Sequence, residues 1–222
     1  MDLSEHINAY CERQAPEFYA EPLNAISNLA FFYWAWKLWT EIDPRKPCLK
    51  ARLRWLAGLI ALVGVGSLAF HTFATGWASV LDVLFIGVFN VSYVIIFLRV
   101  VPRWPRHWAF AGGAGFVLVD RIVATYLPGN LLNGSVLYLP AAIVLVALTA
   151  YARTIAPEAG RMMMKAVAVF AVSLVARTID QALCQSWPWG THFVWHLLNA
   201  WVLYQLSRAV ARAAIQHSPG GS

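Results

Sequence analysis

Two histidines four residues apart, His192 and His196, lie in an apolar stretch near the end of the sequence, and a third, His71, closes another apolar run. A spacing of four places both imidazoles of the pair on one face of a helix, where they can bind one ion. His71 can supply a third nitrogen. Three nitrogen ligands leave the fourth position of a tetrahedral zinc open, which is typical of catalytic zinc rather than structural zinc.

Two residues near His71 suit hydrolysis. The histidine pair lacks the adjacent glutamate of His-Glu-x-x-His metalloproteases, so the proton acceptor must lie elsewhere. Asp82 follows His71 across a short Gly-containing turn and is the best candidate, and Ser67, one turn before His71, can donate a hydrogen bond to a developing oxyanion. Metal, base and donor together describe hydrolysis of a carbonyl compound. Two simpler interpretations stay open: Asp82 as a helix N-cap, and Ser67 as a small packing residue.

The composition predicts a membrane protein. Of the 222 residues, 59% are hydrophobic and 13% charged, and the mean hydropathy of +0.56 is too high for an ordinary soluble domain. Seven apolar stretches are each long enough to cross ~30 Å of hydrocarbon as a helix. They are residues 22–40, 52–72, 78–100, 107–126, 136–154, 163–184 and 190–211. The prediction is therefore an all-α membrane protein with seven transmembrane helices.

Basic residues predict the orientation of these spans. They concentrate after the first, third and fifth spans and at the C-terminal end, whereas the alternate connections at 73–77, 127–135 and 185–191 contain no Lys or Arg. The residues are Arg45, Lys46, Lys50, Arg52, Arg54, Arg103, Arg106, Arg153, Arg161, Lys165, Arg208 and Arg212. By the positive-inside rule, the N-terminus is outside and the C-terminus cytoplasmic. The net charge of +6 then reflects topology and requires no nucleic-acid partner.

On this map, His71, Asp82, His192 and His196 fall at a similar depth in the outer half of the bundle, although nothing in the histidine spacing requires it. The sequence thus predicts an active site towards the extracytoplasmic side. The expected domains are an extracytoplasmic N-terminal segment at 1–21, a seven-helix hydrolase domain at 22–212 and a disordered cytoplasmic tail at 213–222.

The three cysteines give an independent prediction. On the same map Cys11 and Cys184 lie outside and Cys48 lies on the cytoplasmic side. An oxidising compartment permits a disulfide and a reducing one discourages it, so we expect Cys11 to pair with Cys184 and Cys48 to remain free. The alternative is that Cys11 and Cys184 are two buried free thiols.

Taken together, several motifs resemble the alkaline ceramidases, seven-span intramembrane hydrolases related to the adiponectin receptors. The motifs are residues 10–12, 20–28, 64–71, 81–82, 179–184 and 192–196. The resemblance implies a zinc held by His71, His192 and His196. It also implies catalytic roles for Asp82 and Ser67 in cleaving the amide of ceramide to sphingosine and a fatty acid.

Eukaryotic members of that family also bind calcium through side chains that precede the first span. Glu12, Gln14 and Glu21 match these positions, and an oxygen-rich segment suits a hard cation. However, Asn8 and Ala9 stand where the family has an Asp. Because the missing carboxylate should weaken the site, the resemblance implies at most a weakened calcium site.

The prediction from sequence is therefore a multi-pass, zinc-dependent amidase that acts in the bilayer on ceramide. Two alternatives remain. One keeps the chemistry but takes another N-acyl or ester lipid, and the other is a seven-span lipid-sensing receptor whose metal is structural.

Overall fold

The structure, a computed structural model, describes residues 3–42 and 47–216. Over these residues the regular structure is helical, with no β-strand beyond an isolated bridge between His6 and Thr75. The α-helices are α1 (Pro22–Ser27), α2 (Leu29–Glu41), α3 (Pro47–Phe73), α4 (Gly76–Val100), α5 (Arg106–Tyr126), α6 (Leu139–Ile155), α7 (Pro157–Ile179) and α8 (His192–Gln216). Short 3₁₀ turns at Ser135–Tyr138 and Gln181–Leu183 precede α6 and follow α7.

Proline lies at the start of several helices. Pro22, Pro140 and Pro157 occupy the first positions of α1, α6 and α7, and Pro105 immediately precedes α5. Proline suits these positions because its fixed φ is already helical and the first N–H groups of a helix have no intrahelical partner. The element boundaries therefore follow directly from local chemistry.

Five helical segments are long and apolar enough to cross a membrane: Cys48–Phe73, Gly76–Val100, Arg106–Tyr126, Ser135–Ile155 and Pro157–Ile179. They correspond to the second through sixth predicted spans. The first and seventh predicted spans differ from these five, each for a different physical reason.

The first predicted span, 22–40, consists of two helices, α1 and α2, that meet at Asn28. The break follows from side-chain competition for one carbonyl. The Ser27 hydroxyl and the Asn28 amide both donate to the Asn24 carbonyl at 2.8 Å. The backbone N–H of Asn28 therefore donates to the Ala25 carbonyl instead of the Asn24 carbonyl. Such local hydrogen bonds interrupt the regular helical ladder.

The seventh predicted span corresponds to α8, which is long but less apolar than the others. It contacts α1, α2, α3, α4 and α7 and so occupies the centre of the bundle. Its polar residues Asn199, Gln205 and Ser207 are buried among these neighbours. The helix continues through Gln216 with Ala213 fully buried, so residues 213–216 are helical rather than a disordered tail. Residues 217–222 of the predicted tail lie outside the described residues.

The candidate functional residues lie at one end of the bundle. Helices α3 and α7 end there, and α1, α4 and α8 begin there. The N-terminal segment, residues 3–21, lies across this end, where the Ile7 N–H donates to the Ala74 carbonyl at 2.7 Å. A disulfide joins Cys11 to Cys184, and Cys48 is free and exposed. The predicted cysteine pairing is confirmed.

Candidate metal centre

Three histidines meet at this end of the bundle. His71 comes from the last turn of α3, and His192 and His196 from the first turns of α8. Each offers a ring nitrogen, and these atoms lie within 4.8 Å of one another. All three side chains are buried, with exposed fractions of 2% or less. The predicted convergence of the three histidines is confirmed.

The ring of His71 is oriented by Glu21. The distance from His71 Nδ1 to Glu21 Oε2 is 2.6 Å, and His71 Nε2 is buried without a hydrogen-bond partner. A proton on Nδ1 shared with the carboxylate leaves the lone pair of Nε2 free. Metal-binding histidines usually have such a carboxylate behind them, which fixes the ring and increases its basicity.

His196 and His192 are held in other ways. His196 Nδ1 lies 2.7 Å from the Ser27 hydroxyl, and its Nε2 lies 3.3 Å from the Ser67 hydroxyl. His192 is stacked on Tyr10 with ring centroids 3.7 Å apart, and its Nδ1 is buried without a partner. Leaving buried polar atoms unpaired costs free energy. The unpaired nitrogens of His71 and His192, together with an all-imidazole donor set, fit a zinc ion.

Asp180 fixes the start of α8 and thereby the position of His192. Its Oδ1 accepts hydrogen bonds from the backbone N–H groups of Thr191 and His192 at 2.6 and 2.9 Å. Its Oδ2 accepts the N–H of Cys11 at 3.0 Å. Gly190 is required beside it, because φ is +63° and a Cβ there would collide with the Asp180 carboxylate.

Asp82 and Ser67 lie beside the histidines. The N-cap of α4 is Thr75, so Asp82, in the second turn of the helix, does not have the capping role that remained open from sequence. The Asp82 side chain interacts with the Ser67 hydroxyl and electrostatically with His71. Ser67 is itself buried. The structure thus brings the predicted base and the predicted donor together with the predicted metal ligands.

A cavity of about 570 Å³ adjoins this group. Its polar lining residues include Tyr10, Asp82 and Arg177, with Asn90 and Ser92 on α4 and Asp120 and Arg121 on α5, and apolar side chains form much of the rest. The apolar lining residues include Val83, Ile86, Val91, Phe116, Val117 and Ala141. A smaller cavity of about 50 Å³ shares the lining residues Ile86 and Phe116 and also borders Val202 and Leu206 of α8. The volume lies in the ~300–1,000 Å³ range of small-molecule sites.

The sequence model of the Ceramidase family matches residues 6–218, nearly the whole chain. The chain belongs to the Ceramidase family. The resemblance to alkaline ceramidases is therefore confirmed, and membership of the Ceramidase family supports a hydrolase that acts on ceramide-type lipids. Among curated proteins, none matches the chain significantly.

Glu12, Gln14 and Glu21, which match calcium ligands in eukaryotic ceramidases, differ from one another in their surroundings. Glu12 accepts the backbone N–H groups of Leu23 and Asn24 at 2.6 and 2.8 Å, and burial raises its pKa despite these bonds. Gln14 is exposed. Burial also tends to raise the pKa of Glu21, but hydrogen bonds from His71 and Arg13 hold that pKa below its usual value.

Three residues were given no role at this site from the sequence: Tyr10, Arg13 and Arg177. Arg177 lines the cavity, and its guanidinium carbon is 5.7 Å from the Tyr10 ring centroid and 5.3 Å from that of Tyr138. One of its N–H groups donates to the Asn133 carbonyl at 3.0 Å. The available signal was an arginine within an apolar stretch, which usually marks a functional interior position.

Proposed function

We propose that the protein is a zinc-dependent intramembrane amidase that hydrolyses ceramide to sphingosine and a fatty acid. The observation that carries this proposal is the convergence of His71, His192 and His196 within 4.8 Å beside Asp82, whose side chain also lines the cavity. Family membership supports the substrate class.

The three histidines would hold the zinc. Structural zinc sites generally have four protein ligands, whereas the metal-binding group in the described part of the chain has three. This number supports a catalytic site over the receptor alternative. When bound, zinc supplies Lewis acidity, which polarises a carbonyl group and acidifies a coordinated water.

The protein's own groups move the protons. Asp82 accepts a proton from the attacking water while the water oxygen bonds to the amide carbon. Asp82 then delivers that proton to the departing amine nitrogen. The Ser67 hydroxyl donates a hydrogen bond to the charge that develops on the carbonyl oxygen. One water is consumed, its hydroxyl ending on the fatty acid and its proton on sphingosine.

The lining of the cavity supports a lipid as the substrate. Its apolar lining residues on α4, α5 and α6 suit an acyl chain, and Asp82, which also lines the cavity, would face the scissile amide. A lining that combines apolar walls with a few polar side chains suits an N-acyl lipid.

The proposal includes seven membrane spans, with the N-terminus outside and the active site towards the extracytoplasmic side. Helix α8 counts as a span because neighbouring helices surround its polar residues, and α1 with α2 counts as another. The disulfide at the histidine end supports this orientation, since an oxidising compartment is required there. Basic residues at the opposite ends of the helices, such as Arg54, Arg106 and Arg208, support it as well.

Turnover by the purified protein tests the function. Protein with a full complement of zinc is incubated with amide-labelled ceramide, and sphingosine and fatty acid are quantified against the variant Asp82→Asn. We expect equimolar products from the wild type only. A zinc-loaded wild type that leaves ceramide intact but cleaves another N-acyl or ester lipid would support the alternative substrate. Absence of turnover across the lipid panel would support a receptor.

A further inference from the structure

Arg13 is a buried cation in the N-terminal segment. It is 4% exposed, and no other Lys or Arg precedes Lys37 in the sequence. A guanidinium has five N–H donors in a fixed planar arrangement. The five oxygens that accept hydrogen bonds from Arg13 are Glu21 Oε1 at 2.5 Å and the carbonyls of Glu17 at 3.1 Å, Ala15 and His71 at 3.3 Å and Thr72 at 3.4 Å. Donors and acceptors are equal in number.

The contacts of Arg13 connect the N-terminal segment to the metal centre. The carbonyls of His71 and Thr72 belong to the last turn of α3, where they lack intrahelical partners and where a positive charge is favourable. Glu21 accepts from Arg13 with one oxygen and contacts His71 Nδ1 with the other. Arg13 therefore contacts both the backbone of a predicted zinc ligand and the carboxylate that orients its ring.

A divalent ion would need the same oxygens. Calcium takes about 6–8 oxygen ligands at distances that exclude a competing donor. Both oxygens of Glu21 already accept hydrogen bonds, and so do both oxygens of Glu12, while Gln14 points to the exterior. The residues present thus do not fit the calcium site that the family resemblance implies.

We propose that the guanidinium of Arg13 is a built-in cation that takes the place of a calcium ion in the N-terminal segment and positions His71 through Glu21. The protein then requires no calcium for stability or for zinc binding. Arg13 is a positioning residue, since it touches neither the predicted zinc-binding nitrogens nor the cavity. The inference rests on the proposed zinc centre but not on which lipid is hydrolysed.

Titration of the wild type with calcium is the first test. Zinc-loaded protein is passed into calcium-free buffer, and Ca²⁺ is added to about 1 mM, the weak end of protein calcium sites. Bound radioactive calcium, bound zinc and the melting temperature are recorded, with Mg²⁺ as the matched control. We expect no stoichiometric calcium binding and the same melting temperature with either ion. One calcium bound per chain, or a rise in melting temperature specific to Ca²⁺, would overturn the proposal.

The second test removes the charge. In Arg13→Gln the zinc affinity should fall by about 10- to 100-fold, the usual effect of losing a residue that supports a metal ligand. Arg13→Lys should recover part of this loss because it restores the charge but not the five-donor geometry. Arg161→Gln, at an exposed position in the first turns of α7, is the control. Wild-type zinc affinity in Arg13→Gln would contradict the positioning role.

The calcium titration needs no variant, so it remains decisive if Arg13→Gln does not fold. Ceramide turnover is measured on the same wild-type sample. A wild type that binds zinc, does not bind calcium and leaves ceramide intact would refute the proposed function while supporting the role of Arg13.

Discussion

Tyr10 lies flat against the imidazole of His192, with ring centroids 3.7 Å apart and planes 17° apart. The next residue, Cys11, is tied to Cys184. The N-terminal segment therefore forms one wall of the candidate metal centre, although it precedes the helices that carry the histidines.

The stacking predicts a modest effect of Tyr10→Ala on metal binding. Loss of an aromatic contact worth about 0.5–1.5 kcal/mol should weaken zinc affinity by about 2- to 10-fold, because His192 loses the surface that fixes its ring. Tyr10→Phe keeps the ring and serves as the control. Competition with a calibrated zinc chelator measures both variants, and equal affinities for Ala and Phe would show that stacking does not contribute.

Replacing any one of the three histidines should remove most of the zinc. Each of His71→Ala, His192→Ala and His196→Ala leaves only two nitrogen ligands. His107→Ala, at an exposed position at the start of α5, is the matched control. Elemental analysis of the purified proteins gives the zinc content. A variant that retains full zinc would exclude its histidine from the site.

Asp82→Asn should abolish most turnover while zinc stays bound, because the amide keeps the shape of the side chain but cannot accept a proton. Ser67→Ala should lower kcat by on the order of 10²-fold, the effect of losing one oxyanion donor. Zinc content and turnover are measured on the same samples. Near-normal ceramide turnover by Asp82→Asn would exclude Asp82 as the base.

The disulfide should stabilise the N-terminal segment against unfolding. On the chain-entropy model, closing a loop of this length contributes up to about 5 kcal/mol, less the order that the membrane already imposes. Cys11→Ser combined with Cys184→Ser should therefore lower the melting temperature, whereas Cys48→Ser should not, since Cys48 is free and exposed. Insensitivity of the double variant would mean that the contacts of Asp180 suffice to hold the segment.

The cavity predicts a change in acyl-chain preference. Gly87 lines the cavity, and a Cβ at this position meets nothing within 4 Å, so Gly87→Leu extends into the proposed acyl site. Turnover of long-chain relative to short-chain ceramide should fall on the order of tenfold, given about 1–3 kcal/mol for overpacking. Gly115→Leu is the matched control, because Gly115 is equally open but does not line the cavity. An equal loss of long-chain turnover in both variants would show that the acyl chain does not pass Gly87.

The sequence was sufficient for features that depend on residue type and local spacing. The His192 and His196 pair, five apolar helices and the Cys11 pairing follow from helical periodicity, hydropathy and redox compartment. The break at Asn28 was not predicted. It results from hydrogen bonds of the Ser27 and Asn28 side chains to the Asn24 carbonyl, and hydropathy contains no information on such bonds.

The supporting residues of the site were harder to predict. Arg13 contacts α3, and Asp180 contacts Cys11 and the start of α8, so both contacts join segments far apart in the sequence. No periodic pattern encodes such contacts. The charge of Arg13 is visible in the sequence, but its five acceptors are four carbonyls and one carboxylate, and carbonyls belong to every residue.

The central position of α8 has a consequence for biosynthesis. Its buried polar side chains pack among α1, α2, α3, α4 and α7, all of which leave the ribosome before it. Two of the three histidines are on α8, so the nascent chain has no complete set of metal ligands until its last helix has been made and packed. If the three histidines bind zinc as proposed, metal loading is a late step of maturation, and a chain that stops before α8 should contain no zinc and show no turnover.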